Sequence, residues 1–114
     1  MINAPDPNDL DAILGRIRAQ AGAEMIRVTQ HAHQEMVQED FLLDEVLQAF
    51  GSGQVLENYP LHRRGPCCLV GGTTTAGRPV HIVCTTGQPV LIIITVYEPK
   101  PPKWPTPTER SRRL

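Results

Sequence analysis

One stretch, Cys68–Pro99 (CLVGGTTTAGRPVHIVCTTGQPVLIIITVYEP), limits what this chain can fold into more than any other. Three apolar runs are separated by Thr73–Gly77 and Thr86–Pro89, each with a glycine between residues of high β propensity. That is the pattern of hairpins with loops of about three to five residues, so a three-stranded antiparallel meander is expected. Val90–Tyr97 is almost unbroken Ile and Val and should be an interior strand buried on both faces. The polar residues of the block then stand out. Arg78 opens the second run, His81 lies inside it and Tyr97 closes the third.

Upstream, the spacing predicts helices. Asn8 can cap a helix in which Leu10, Ile13, Leu14 and Ile17 share one stripe and Asp11, Arg16 and Arg18 face away, ending near Gly22. Ala23–Val28 reads as a link or edge strand. Thr29 can cap a second helix, with Ala32 and Met36 inward and His31 and Glu35 on a common face. Asp44 can cap a third, with Val46, Leu47 and Phe50 buried and Gly51 and Gly53 stopping it. Gln54–Tyr59 alternates Val55 and Glu57 against Leu56 and Asn58, a fourth strand that ends at Pro60. The fold class expected is α+β: a four-stranded antiparallel sheet with two or three helices packed on one side.

The organisation expected is a leader and amphipathic helix over 1–22, a core domain over 23–99, and a proline-rich basic tail over 100–114 that is largely disordered. Five prolines between Pro99 and Pro107 exclude regular structure there and favour extended conformations, with Trp104 folding back on the domain. The 114 residues, 40% hydrophobic and 20% charged, suit one core. The start lacks a basic segment followed by an apolar one, and no apolar run approaches the roughly 18 residues of a membrane span, so a cytoplasmic protein is expected. Cys67, Cys68 and Cys84 form no CxxC and are odd in number, which suits reduced packing residues. Charge is asymmetric: residues 1–62 carry ten acids and three bases, and residues 63–114 carry eight bases and two acids. Such a split is compatible with a nucleic-acid partner on the sheet side, or with a solvated basic tail.

The segments RVTQHAHQEM (27–36), GQVLENYP (53–60), CLVGG (68–72) followed by GRPVHIV (77–83), and IITVYEP (93–99) with Lys103 and Trp104 downstream occur in an order and spacing that resemble a family. It is the small bacterial Domain of Unknown Function 4258 family, and the likeness spans about residues 26–104. The resemblance implies kinship with RelE-like and BrnT-like toxins, an α+β fold, and a partner antitoxin that is a small zinc-finger or helix-turn-helix protein. It also implies an endoribonuclease that cuts messenger RNA, and it sets His31 and His81 at recurring positions.

A metal-independent ribonuclease needs a base for the 2′-hydroxyl, an acid for the leaving 5′-oxygen and a cation for the phosphorane. His31, His81 and Arg78 are of the right types, and Tyr97 can orient the phosphate or stack on a base. Each also has a plainer reading. His31 can donate to a backbone carbonyl or to Glu35, His81 can be a buried strand histidine, Arg78 a solvated arginine at a turn, and Tyr97 a core residue. The histidines and cysteines match no zinc spacing, so no metal or cofactor is expected. A non-catalytic interaction module with structural histidines is the alternative to the toxin.

Overall fold

The computed structural model describes residue 6 and residues 8–111. In chain order the elements are α1 (Leu10–Gly22), β1 (Ile26–Val28), α2 (Gln30–Glu39), α3 (Leu43–Ser52), β2 (Gln54–Tyr59), β3 (Cys67–Thr73), β4 (Pro79–Thr85) and β5 (Leu91–Tyr97). The fold is α+β, but the sheet has five strands and is mixed, in the order β1-β5-β4-β3-β2. The fifth strand is β1, which pairs parallel to β5 with Ile26 opposite Leu91 and Val28 opposite Ile93. The segment before α2 is therefore an edge strand, and the expectation of four antiparallel strands is corrected by that one parallel pair. The β3–β4–β5 meander is antiparallel as expected.

Period-two alternation sorts the sheet into two faces. Cys68, Val70, Val80, Ile82, Cys84, Leu91, Ile93 and Val96 point to the inner face, where they pack with Ile13, Ile17, Ala32, Met36, Val46, Ala49 and Phe50 of the three helices. A Cβ on Gly72 would come within 2.0 Å of the Ala49 carbonyl oxygen, so glycine there lets α3 lie directly on β3. β5 is interior, as expected, yet only its inner face is closed. Ile92, Ile94, Thr95 and Tyr97 are half-buried.

The helix starts differ from expectation in instructive ways. Asp9 rather than Asn8 caps α1, its carboxylate accepting from Ala12 N at 3.1 Å. Thr29 caps α2 as expected. At α3 the cap is Leu42, whose N–H donates to Glu45 Oε1 at 2.8 Å, so Asp44 sits inside the first turn instead. There its charge still suits the positive end of the helix dipole.

Arg16 and Arg18 do not simply face water. Arg16 donates to the Thr86 and Gln88 carbonyls of the β4–β5 loop, and Arg18 to the Phe50, Gly51 and Gly53 carbonyls at the end of α3. Each ties backbone carbonyls at the end of an element to α1, sharing the Gln88 carbonyl with Gln20 and the Phe50 carbonyl with Gly53 N.

Over residues 100–111 the tail has no helix or strand, as its prolines require, but it is not extended away from the domain. Trp104 is 3% exposed, its backbone N–H donates to the Lys100 carbonyl, Thr106 and Glu109 form an isolated bridge, and Ser111 N donates to the Lys103 carbonyl at 2.7 Å. One large apolar side chain with a place on the sheet orders its neighbours. Residues 112–114 of the tail and 1–5 and 7 of the leader lie outside the described residues.

Candidate functional site

The outer face of the sheet, opposite the helices, carries the polar cluster. On β4 the side chain of His81 alternates away from the core, and its cross-strand partners are Gly71 on β3 and Tyr97 on β5. Glu57 and Tyr59 reach the same face from β2. They do so because the register shifts between Val55 and Glu57, a bulge that turns Val55 to the core and Glu57 outward. The sequence alternation had set those two on one side.

The tail closes over the cluster. Trp104 meets the His81 ring edge-on at 4.3 Å between centroids, and Tyr97 meets it at 5.2 Å. His81 Nε2 lies 2.6 Å from the Pro107 carbonyl oxygen and Nδ1 3.1 Å from the Tyr97 hydroxyl. A carbonyl only accepts, so Nε2 carries the proton and donates, while Nδ1 accepts from Tyr97. With the ring 1% exposed, burial lowers its pKa below the ordinary value, and the Pro107 carbonyl and Glu57 offset part of that.

Beside it the Tyr59 hydroxyl donates to Glu57 Oε1, and Arg110 Nη1 from the tail lies 3.3 Å from Glu57 Oε2. Burial first, and the Glu57 carboxylate second, push Tyr59 up to about 12. The buried Trp104 Nε1 makes no hydrogen bond of acceptable geometry, yet its N–H opposes the dominant effect of burial, which raises the Tyr97 pKa.

The four residues singled out from sequence fall in three places. His81 and Tyr97 are in direct contact, as their cross-strand register requires. His31 is elsewhere: it sits on α2, its side chain 66% exposed, with Nε2 3.2 Å from Glu35 Oε1. Among the described residues no hydrogen bond, ion pair or ring contact joins it to His81, and the two rings share no partner.

Arg78 belongs to the frame. Its Nε is 2.6 Å from Glu98 Oε1, its Nη1 donates to the Asp40 carbonyl at 2.9 Å and its Nη2 to the Glu39 carbonyl, and the guanidinium lies 3.7 Å from the Phe41 ring centre. It thus closes the end of α2 onto β4 and β5. Glu35 and Glu39, one turn apart, accept from Val96 N and Glu98 N and so satisfy the edge of β5 beyond the reach of β1.

Glu57, Tyr59, Trp104 and Arg110 were missed as site members by sequence reasoning. The first two are hidden by the bulge, and the last two lie in a tail without a period.

A second feature of the outer face is a cleft of about 440 Å³ lined by His62, Arg63, Arg64 and Gly65 of the β2–β3 loop and by Cys67, Val83, Thr85 and Ile94 of the strands. Among the described residues no three His, Cys, Asp or Glu side chains are grouped to hold a metal ion, and no helix is long and apolar enough to cross a membrane.

Neither a curated protein nor a solved structure matches the chain at a significant level. The family model for a domain of unknown function, DUF4258, matches residues 28–98, from β1 through the Glu98 that binds Arg78, and stops short of the tail. The chain belongs to the DUF4258 family.

Proposed function

We propose that the protein is the toxin of a type II pair, a relative of RelE-like and BrnT-like toxins, and that it cuts messenger RNA without a metal on the outer face of its sheet. The observation that supports it is the grouping of His81, Tyr97, Glu57 and Tyr59, acid–base side chains gathered on the one sheet face that the helices do not cover. His81 is the base. A neutral imidazole is its resting form at neutral pH because burial lowers its pKa.

With Pro107 withdrawn, the ring changes tautomer through solvent, Nε2 losing its proton and Nδ1 gaining one; the Tyr97 hydroxyl hydrogen turns away so that its oxygen accepts a hydrogen bond from Nδ1–H, and Nε2 is free to take the 2′-hydroxyl proton. The 2′-oxygen then attacks phosphorus, the 5′-oxygen leaves with a proton from Tyr59, and a 2′,3′-cyclic phosphate and a 5′-hydroxyl result. His31 has no part in this arrangement. The docked tail slows the enzyme without silencing it, and a small zinc-finger or helix-turn-helix antitoxin is the partner expected to accompany it.

A second reading is favoured by a specific observation: both ring nitrogens of His81 are engaged within the chain, as in a structural histidine. On that reading the protein is a non-catalytic interaction module.

Induced expression in bacteria separates the two. The parent should arrest growth and leave RNA fragments with cyclic-phosphate ends, Trp104→Ala should cut faster, and His81→Ala should be folded and harmless. Intact RNA and normal growth with both the parent and Trp104→Ala would sink the toxin and leave the module.

A further inference from the structure

Resting on the RNA reading above, we propose that the cleft beside the β2–β3 loop holds one nucleotide unit of single-stranded RNA, with Arg63 and Arg64 on its phosphate and the Val83–Ile94 floor under its base.

The first observation is that the cleft is bordered by two adjacent free cations, whereas several other arginines are engaged. Arg16 and Arg18 are bonded to backbone carbonyls, Arg78 is bonded to Glu98 and the end of α2, and Arg110 pairs with Glu57. Arg63 and Arg64 are adjacent, exposed and, among the described residues, without a side-chain hydrogen bond or ion pair. Their loop is nonetheless shaped by its own bonds: His62 N donates to the Tyr59 carbonyl, Gly65 N to the His62 carbonyl at 2.9 Å, and Gly65 takes φ +110°, which suits glycine. Arg64 N donates to His62 Nδ1 at 3.2 Å, so the proton of the neutral ring is on Nε2 and available to an acceptor. Three donors thus surround a cleft that no carboxylate lines among the described residues.

The second observation is the floor. Cys67, Val83, Thr85 and Ile94 give it an apolar surface that a free phosphate would not need and a base can cover. The third is position. Val83 and Thr85 lie two and four residues from His81 on the same face of β4, about 7 and 13 Å along the strand. A strand of RNA seated in the cleft therefore runs toward the His81 cluster. Among the described residues no tail residue lines the cleft, so it is open while residues 100–111 are docked. Binding precedes uncovering.

The test uses the full chain and a fluorescent 2′-O-methyl heptauridylate, which can be bound but not cut. Arg63→Ser/Arg64→Ser should weaken binding about tenfold at low salt, and the slope of log K against log[salt] should fall by about 0.7, the value of one phosphate contact on a single strand. Ile94→Ala should weaken binding about threefold with the slope unchanged.

Equal affinity and slope in the double variant would overturn the proposal. So would polyphosphate competing as well as RNA while Ile94→Ala has no effect. The two proposals fail separately. RNA held through these arginines but never cut when unmodified would refute the ribonuclease and keep the cleft, whereas equal cutting and KM in parent and double variant would refute the cleft and keep the ribonuclease.

Discussion

The inner and outer faces of the sheet are both covered, and they are covered by different physics. On the inner side three helices bury aliphatic and aromatic side chains, and the cohesion is apolar area shared among many residues. On the outer side residues 100–111, without helix or strand, are held by specific contacts, among them the Trp104 indole, the His81–Pro107 hydrogen bond and the Arg110–Glu57 ion pair. A cover of many interchangeable contacts fails all at once, and a cover of a few specific ones can lift while the domain stays folded. The family match, residues 28–98, leaves out the tail, and it leaves out α1 of the inner cover as well.

Substitutions on each face sharpen the contrast. The largest effect is expected at Phe50, fully buried against the sheet: Phe50→Ala should cost about 3–5 kcal/mol in urea unfolding. Trp104 is a larger side chain, yet Trp104→Ala should cost only about 1–2 kcal/mol, because the tail can detach instead of leaving a cavity. Its clearer signature is faster hydrogen exchange and proteolysis within 100–111, with the helices unchanged. An equal loss at both positions would show that the two covers are one cooperative unit.

A smaller effect follows from the lowered pKa of His81. Between that value and the ordinary one near 6.5 the unfolded chain binds more protons than the folded one, so stability rises with pH across this window and levels off above it. Replacing His81 with Gln should remove this dependence, and denaturation at a series of pH values would measure it.

The least effect on the fold, though a distinct spectral one, is at Tyr59. Ultraviolet titration should find a tyrosine ionising near 12, and Glu57→Gln should bring it down part of the way, since burial remains as the larger cause.

How far the sequence disclosed this molecule depends on whether a residue's position follows from local period. The meander, the Thr29 cap and the strand ending at Pro60 were legible because turns and alternation fix them within a few residues. β1 was readable only as a possible edge, since three residues show no period and their partner on β5 lies 65 residues later, Ile26 against Leu91. The contact of His81 with Tyr97 was implicit in the hairpin register, and both residues stood out as polar groups in an apolar block. Their separation from His31 was not legible, because a helix that packs on β5 can carry a histidine on either flank. Arg78 read as chemistry or as a solvated turn residue, and it proved to be a clamp, which depends on Glu98 and on two carbonyls of α2. The Val55–Glu57 bulge shows the limit most sharply, for one extra residue exchanged a core side chain for a site one.

The adjacent cysteines give the two faces a built-in pair of clocks. Cys67 lies in the floor of the cleft and Cys68, one residue on, faces Cys84 under the helix layer; all three are free thiols. Burial keeps Cys67 protonated, and a hydrogen bond with Cys68 together with burial does so for Cys84, which slows their alkylation. Labelling at Cys67 therefore records local opening at the cleft, and labelling at Cys68 and Cys84 records the opening of the helix layer from the sheet, an internal standard that the chain carries one peptide bond away.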